Sequence, residues 1–220
     1  QMIRPGTPLI YAVLSTVADM RSGAYTPGAI ETGLMQMAHS QMAQYYKVPS
    51  GGYIGLTNAH LNDAQCGYET GMNTTGAVLA GSDMLNMGGL LDSLMAFDFA
   101  KAVIDNEIAL MLKRFVKFPG VDDEKLALDL IAEVGPGGSF METAHTFANM
   151  RETGLLTRVA NRDMRSTWEE AGRPDINQKA METARTILKT DNPAVFSADV
   201  DAGIRERFAD LVAGDAKPID

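Results

Sequence analysis

Val48–Ala80 reads VPSGGYIGLTNAHLNDAQCGYETGMNTTGAVLA, and the chain on either side repeats its plan. Val48-Pro49-Ser50-Gly51-Gly52 has the composition of a loop and Tyr53-Ile54-Gly55-Leu56 that of a short strand. Asp63 then stands where an N-cap belongs, before a helix of small residues that ends near Ala80. The same order precedes this stretch: an apolar run Leu9–Leu14, the turn Pro27-Gly28, and a helical pattern through Ile30, Leu34, Met37, Ala38 and Met42. It also follows it, with Met84-Leu85-Asn86-Met87 closed by Gly88-Gly89, then Phe97–Lys117 placing Ala100, Ile104, Ile108, Met111, Leu112 and Phe115 on one helix face. A fourth unit is expected after Pro119-Gly120. There Asp122-Asp123-Glu124 suits a helix N-terminus with Leu126, Leu130 and Val134 on the buried side, Gly135-Pro136-Gly137-Gly138 ends the helix, and Ser139–Glu142 is β-like.

Beyond Thr146 the pattern is helical. Asp175 caps a run with Ile176, Ala180, Ala184, Ile187 and Leu188 aligned, Ser197 caps another with Val200, Ile204, Phe208 and Leu211, and the tail from Gly214 is expected to fray. Strands alternating with helices indicate an α/β fold with a parallel sheet. Four strands do not close a (β/α)₈ barrel, which takes eight strands and about 250 residues. The expected architecture is therefore the C-terminal half of a TIM barrel with additional C-terminal helices: barrel units over 1–146, a helical segment over 147–213, and a tail over 214–220. The competing architecture is a complete open α/β domain with a helical tail. A half-barrel exposes unpaired strand edges, which a homo-oligomer would cover.

With 28 acidic against 19 basic side chains the chain carries a formal charge of −9, which argues against a nucleic-acid partner, since phosphate binding needs a clustered positive face. The single cysteine, Cys66, rules out an internal disulfide and any multi-cysteine metal cluster, and fits a reducing compartment. No basic, apolar leader opens the sequence and no apolar run reaches about 18 residues, so a cytoplasmic protein without a membrane span is expected. The 14 methionines suit either a forgiving core or a surface that accommodates a bulky apolar partner.

In parallel α/β sheets functional groups collect where strands end. The four loops there carry Asp19, Met20 and Arg21; Thr57, Asn58 and His60; Gly88 and Gly89; and Glu142, Thr143 and His145. His60 and His145 each have the chemistry of a general acid or base or of a metal ligand, but no third ligand lies at short spacing and no metal site is expected. His39, inside a helical run, reads as a structural residue. Asp63 reads best as an N-cap, and Gly88-Gly89 as a sharp turn that allows close approach of a ligand or neighbouring backbone. Cys66, just inside a helix start, is either an activated thiol or a packing residue. Glu69 reads as a solvated helix position or a supporting partner. Tyr53 and Phe140, at or beside strand ends, are core aromatics or faces for a cationic ligand, each contact being worth about 0.5–2 kcal/mol.

Asp63-Ala64-Gln65, Glu69, Leu79–Asp83 and Gly88-Gly89-Leu90, taken together, resemble the C-terminal half of the trimethylamine methyltransferase family. Val134–Phe140, His145-Thr146, Arg162, Trp168–Gly172 and Pro193 agree in order and spacing, as do Pro5–Pro8 and Asp19–Gly23. The resemblance covers essentially the whole chain. It implies a TIM barrel about twice this length and transfer of a methyl group from a tertiary or quaternary methylamine to the cobalt of a separate corrinoid (cobalamin) protein docked at the barrel mouth, with no metal bound directly. The archaeal trimethylamine enzymes use pyrrolysine, and this chain has only standard residues. The resemblance thus points toward quaternary amines such as glycine betaine, whose nitrogen already leaves without a proton. On that reading Glu142 and His145 are catalytic candidates, Asp19, Tyr53, His60 and Phe140 bind the methylammonium head, and Gly88 and Gly89 face the corrinoid partner. Two other functions stay open from the residues alone. One is a non-catalytic module for trimethylammonium compounds or corrinoid-protein docking; the other is an unrelated TIM-barrel lyase handling phosphate at Gly88-Gly89 or Gly137-Gly138.

Overall fold

The computed structural model describes residues 3–117, 120–190 and 197–208. Three parallel strands form its sheet: β1 (Tyr11–Val13) and, further along the chain, β4 (Ser50–Tyr53) and β5 (Met84–Asn86), in the order β1-β4-β5 with Tyr11 opposite Ser50 and Gly51 opposite Met84. Between β1 and β4 lie the small hairpin β2 (Val17–Ala18) and β3 (Tyr25–Thr26) and the helix α1 (Ile30–Tyr46). Helix α2 (Ala64–Leu79) joins β4 to β5. After β5 a second hairpin, β6 (Leu90–Leu91) with β7 (Ala96–Phe97), leads into α3 (Phe99–Val116). Among the described residues six further helices follow: α4 (Asp123–Leu126), α5 (Leu128–Val134), α6 (Ala144–Thr153), α7 (Arg165–Glu170), α8 (Ile176–Lys189) and α9 (Ala198–Arg207).

The fold is thus α/β with a parallel sheet, as the alternation of elements predicts, but the strand boundaries and their number differ. β4 is Ser50-Gly51-Gly52-Tyr53, the stretch read as a loop, and Ile54–Leu56 lies beyond its end. Propensity argues against glycine in a strand, and close packing overrides it here. A side chain at Gly52 would overlap the Gln36 amide of α1, and one at Gly51 would press on Ile10, Ala12 and Met84. The expected fourth strand, Ser139–Glu142, is a turn. Phe140 and Glu142 are exposed, and the carbonyl of Phe140 accepts from Thr143 within the segment. The single helix expected from Asp122 to Val134 is two, broken at Ala127 with φ +50°, and Leu126, Leu128 and Ile131 are exposed.

Helix α1 turns a different face inward from the apolar one. Thr32, Gly33, Gln36, Ser40 and Ala43 are buried, whereas Ile30, Leu34 and Met42 are exposed. Small polar residues allow the helix to lie close to the glycines of β4 and to Asn73 of α2, and the polar side chains of this face of α1 find partners: Ser40 with Ser82, Thr32 with Thr16, and Gln36 with Gly51 and Ser82. The caps follow the sequence more closely. Asp63 accepts from the amides of Gln65 and Cys66, and Asp175 forms a full capping box with Gln178 at the start of α8. Ser197 is the N-cap of α9 without a side-chain bond; Leu211 and the tail lie outside the described residues.

Two apolar clusters hold the layers together, Ala59 with Cys66 and Leu91 beneath the strand ends, and Ala100 with Val159 and Ala180 where α8 lies along α3. Ile10, Ala12 and Met84 share the sheet face opposite α1, and that face is exposed.

Candidate functional site

Three loops leave the C-terminal ends of β1, β4 and β5, and the side chain of Asn58 ties them together. Its Oδ1 accepts from the Gly28 amide at 2.9 Å, and its Nδ2 donates to the carbonyl of Tyr25 at 2.9 Å and to Ser93 Oγ at 2.7 Å. Asn58 is itself held by Glu69 of α2, whose Oε2 accepts from the Asn58 amide at 2.8 Å and from Thr57 Oγ1 at 2.6 Å, while Oε1 accepts from Gln65. Gly28 must be glycine here: a methyl group on it would overlap the Glu69 carboxylate and the Asn58 amide. Gly28→Ala is therefore expected to push Glu69 off Asn58 and loosen all three loops. Amide exchange should quicken at Gly28 and Asn58 and stay unchanged within α8; unchanged protection at Asn58 would contradict this.

A strained turn completes the cluster. Asp92, Ser93 and Leu94 have φ of +49°, +54° and +80°, three consecutive non-glycine residues in the left-handed region, each costing on the order of 1 kcal/mol. The surroundings impose it: the Asp92 amide donates to Ala59 O at 2.9 Å, the Ser93 amide to Thr57 O at 3.0 Å, and Ser93 Oγ to Tyr25 O at 3.3 Å. The turn brings Asp92 Oδ1 to 2.8 Å from His60 Nδ1. Tyr53, the last residue of β4, is half exposed at the same end of the sheet.

Below the loops lies an ion pair. Lys101 Nζ donates to Asp105 Oδ2 at 2.6 Å, to Thr70 Oγ1 at 3.3 Å and to the carbonyl of Gly55 at 3.4 Å. Asp105 Oδ2 also accepts from the Gly89 amide at 2.8 Å. The side chains are 1% and 2% exposed, and burial pushes the Asp105 carboxyl up against the pull of Lys101. The pair fixes two glycine turns, Gly55 at φ +76° just past β4 and Gly89 at φ +74° just past β5. Gly89 is buried beneath the ring of Phe97, whereas Gly88 has open space where a side chain would stand.

The other residues singled out from the sequence have different settings. Asp19 sits at the tip of the β2–β3 hairpin, where Arg21 grips its carboxylate through backbone and guanidinium and holds it well below the usual carboxylate range. His145 Nε2 bonds the carbonyl of Glu124 at 2.9 Å, beside a cavity of about 310 Å³ lined by Lys125, Asn149 and Glu152, so its contacts run to α4. Cys66 is buried and burial pushes its thiol up, which suits packing rather than a thiolate. His39 packs edge-on to Tyr11. Among the described residues no group of three or more His, Cys, Asp or Glu could hold a metal ion, and no helix is long and apolar enough to cross a membrane.

Asn58 was visible in the sequence as a residue of a strand-end loop and Glu69 as a solvated helix position or supporting partner in the family-like string, whereas Ser93, Asp92, Lys101 and Asp105 were not singled out. Most of their partners lie 11 to 68 residues away along the chain, where no local pattern marks them; Lys101–Asp105 and Gln65–Glu69, each four residues apart, are exceptions.

A family model described as trimethylamine methyltransferase (MTTB) matches residues 1–214. Trimethylamine methyltransferase MttB of Desulfitobacterium hafniense (strain DSM 10664 / DCB-2) is 34% identical over 205 residues, 93% of this chain and 41% of the relative. Glycine betaine methyltransferase of Desulfitobacterium hafniense (strain Y51) is 35% identical over 210 residues, 95% of this chain and 44% of the relative. Trimethylamine methyltransferase MttB of Methanosarcina barkeri (strain Fusaro / DSM 804) is 30% identical over 200 residues, 91% and 40%. The chain spans about two-fifths of the length of these curated relatives.

Proposed function

The chain belongs to the trimethylamine methyltransferase family, and from that premise we propose that it is the C-terminal part of a TIM-barrel enzyme that moves a methyl group from a tertiary or quaternary methylamine to a corrinoid protein. The observation that carries the reading is the tying of three βα loops by Asn58 at one end of a parallel sheet, where such enzymes place their chemistry. The barrel units are proposed to run over 1–146 and the helical segment over 147–213, in a cytoplasmic protein.

The corrinoid would come on a partner, and its reduced cobalt would supply the nucleophile that accepts the methyl group. The loop end suits such a partner: Met20 and Met95 are almost fully exposed on two of the loops, soft apolar groups that adapt to a large flat ligand. The chain's own residues do the positioning. Tyr53 offers an aromatic face to the methylammonium head, Asn58 and Glu69 fix the loops around it, and Gly88 leaves room for the partner. Phe140 and His145 are proposed to act from the segment after α5 on the strength of their place in the family-like string, with Glu142 between them as the carboxylate candidate. The acidic balance of the chain raises the local concentration of cationic substrate.

The test is to mix the full-length protein with a reduced corrinoid protein and a panel of methylamines and betaines, and to follow the cobalt spectrum. Methylation of the cobalt by at least one amine is expected, and no methylation with any of them overturns the reading. Binding without methylation would favour a recognition module instead. Because β1 and β5 each have an outer edge without a strand partner among the described residues, the 220-residue chain by itself is expected to associate. Light scattering should give a mass above 23.7 kDa, and a monodisperse monomer would contradict it.

A further inference from the structure

The outward faces of α1 and α2 carry almost no charge. Of their 17 and 16 residues only Glu31 and Glu69 are charged, and between Lys47 and Lys101 the chain has no lysine or arginine. The Glu69 carboxylate is engaged with Thr57, Asn58 and Gln65, which leaves Glu31 as the charge these two helices show to solvent. Helix α8, by contrast, carries Lys179, Glu182, Arg185 and Lys189 within 14 residues. In place of charge the α1–α2 surface shows Leu34 at 60% exposure, Tyr68 at 56%, Met72 at 58% and Leu79 at 68%, with Ile30 and Met42 partly exposed beside them. Aromatic residues and methionine without charge are the composition of an interface core rather than of a solvated helix pair.

The surface also has relief. The start of α1 at Gly28–Ile30 stands off from Tyr68, Met72 and Asn73 of α2 and leaves a hollow of about 270 Å³, while Leu34 projects from α1 one turn beyond Ile30. A hollow and a ridge side by side on one surface are self-complementary, because in a twofold pairing the ridge of each copy meets the hollow of the other. Charge points to the same occupant. Copies of a chain with a net charge of −9 repel wherever their carboxylates face one another, and a partner recognised by opposite charge would seek those carboxylates instead. We propose that the full-length protein is an isologous dimer joined through the outer faces of α1 and α2, with Leu34 of one copy seated in the hollow between Ile30 and Tyr68 of the other. Two such helices side by side present a footprint of roughly 500 Å², about 24 Å long and about 20 Å wide. That is small for a specific interface, so a dissociation constant on the order of micromolar is expected. The surface belongs to the helix layer and not to the sheet edges or the loop end, and the dimer does not depend on the methyl-transfer reading.

Sedimentation equilibrium of the full-length protein, from below to above micromolar concentration, tests this. Twice the mass of one chain is expected at the upper end. Leu34→Arg and, separately, Met72→Arg should each weaken the dimer by at least about tenfold, because twofold symmetry buries the new charge twice. Both side chains are more than half exposed within one copy, so arginine leaves the fold intact, and an unchanged circular dichroism spectrum checks that. Hydroxyl-radical oxidation of the unmodified protein is the second measurement: Tyr68 and Met72 should be protected at high concentration and become oxidised as the dimer dissociates on dilution. A monomer at every concentration, or a dimer that both substitutions leave intact, overturns the proposal. So does protection of Met72 in the monomer, which would mean that the upstream part of the chain covers the face. Protection that appears only when a corrinoid protein is added assigns the surface to that partner and overturns the dimer as well.

Discussion

Lys101→Met is expected to destabilise the protein by about 3–5 kcal/mol, the usual cost of leaving one member of a buried ion pair alone. The substitution removes three hydrogen bonds at once and leaves the Asp105 carboxylate buried with only the Gly89 amide for company. Asp105 would then take up a proton, and the carbonyl of Gly55 would lose its lysine donor. Urea unfolding measures the effect as a lower midpoint at unchanged slope. The double substitution Lys101→Met with Asp105→Leu should recover part of the loss, because no buried charge remains, although the Gly89 amide stays unsatisfied. A Lys101→Met protein within 1 kcal/mol of the parent would show that the pair does not carry the two glycine turns.

Glu107→Ala is the second large effect expected, about 3 kcal/mol or more. Glu107 is buried on α3 and accepts from three consecutive amides of another segment, Arg158 at 2.6 Å, Val159 at 2.9 Å and Ala160 at 2.9 Å. Alanine leaves three N–H groups without an acceptor, two of them partly exposed and able to find water, and each buried one costs about 1–3 kcal/mol. Val159 sits in the cluster with Ala100 and Ala180, so the contact of α8 with α3 weakens together with the loop. Glu107→Gln keeps one acceptor oxygen and should cost roughly half as much. Thermal unfolding compares the three proteins, and limited proteolysis should cut first near Arg158 in the alanine variant. Equal stability of all three would mean that the segment is held by packing alone.

Much of what depended on near neighbours was readable from the chain. Asp63 and Asp175 announce their helices because a cap bonds two or three residues ahead, and the alternation of strands and helices follows from local runs. What depended on distant partners was not. Gly51 and Gly52 look like a loop until Gln36 and Met84 are packed against them. The inward face of α1 looks like its outside because Thr32, Gln36 and Ser40 are polar, and their partners are supplied by other elements. Lys101, Asp105 and Glu107 are hidden in a helix whose apolar pattern is otherwise regular. Ser139–Glu142 has strand-like residues, but its hydrogen bonds are made locally, so propensity alone did not make it a strand. For the site, position at a strand end singled out the loop of Asn58 and His60, which lies just past β4, while Asp92, the partner of His60, lies 32 residues on.

The side-chain-free middle of β4 has a consequence for inheritance. Most single-base changes in a glycine codon add a side chain, and at Gly52 that side chain meets Gln36, at Gly51 Ile10 and Met84. These positions are free to change only in step: a larger residue at 52 calls for a smaller one at 36, and a larger one at 51 for trimming at 10 or 84. The descendants of this chain should therefore show paired substitutions across β4, and an alignment in which position 52 varies independently of position 36 would mean that the backbone moves to accommodate it.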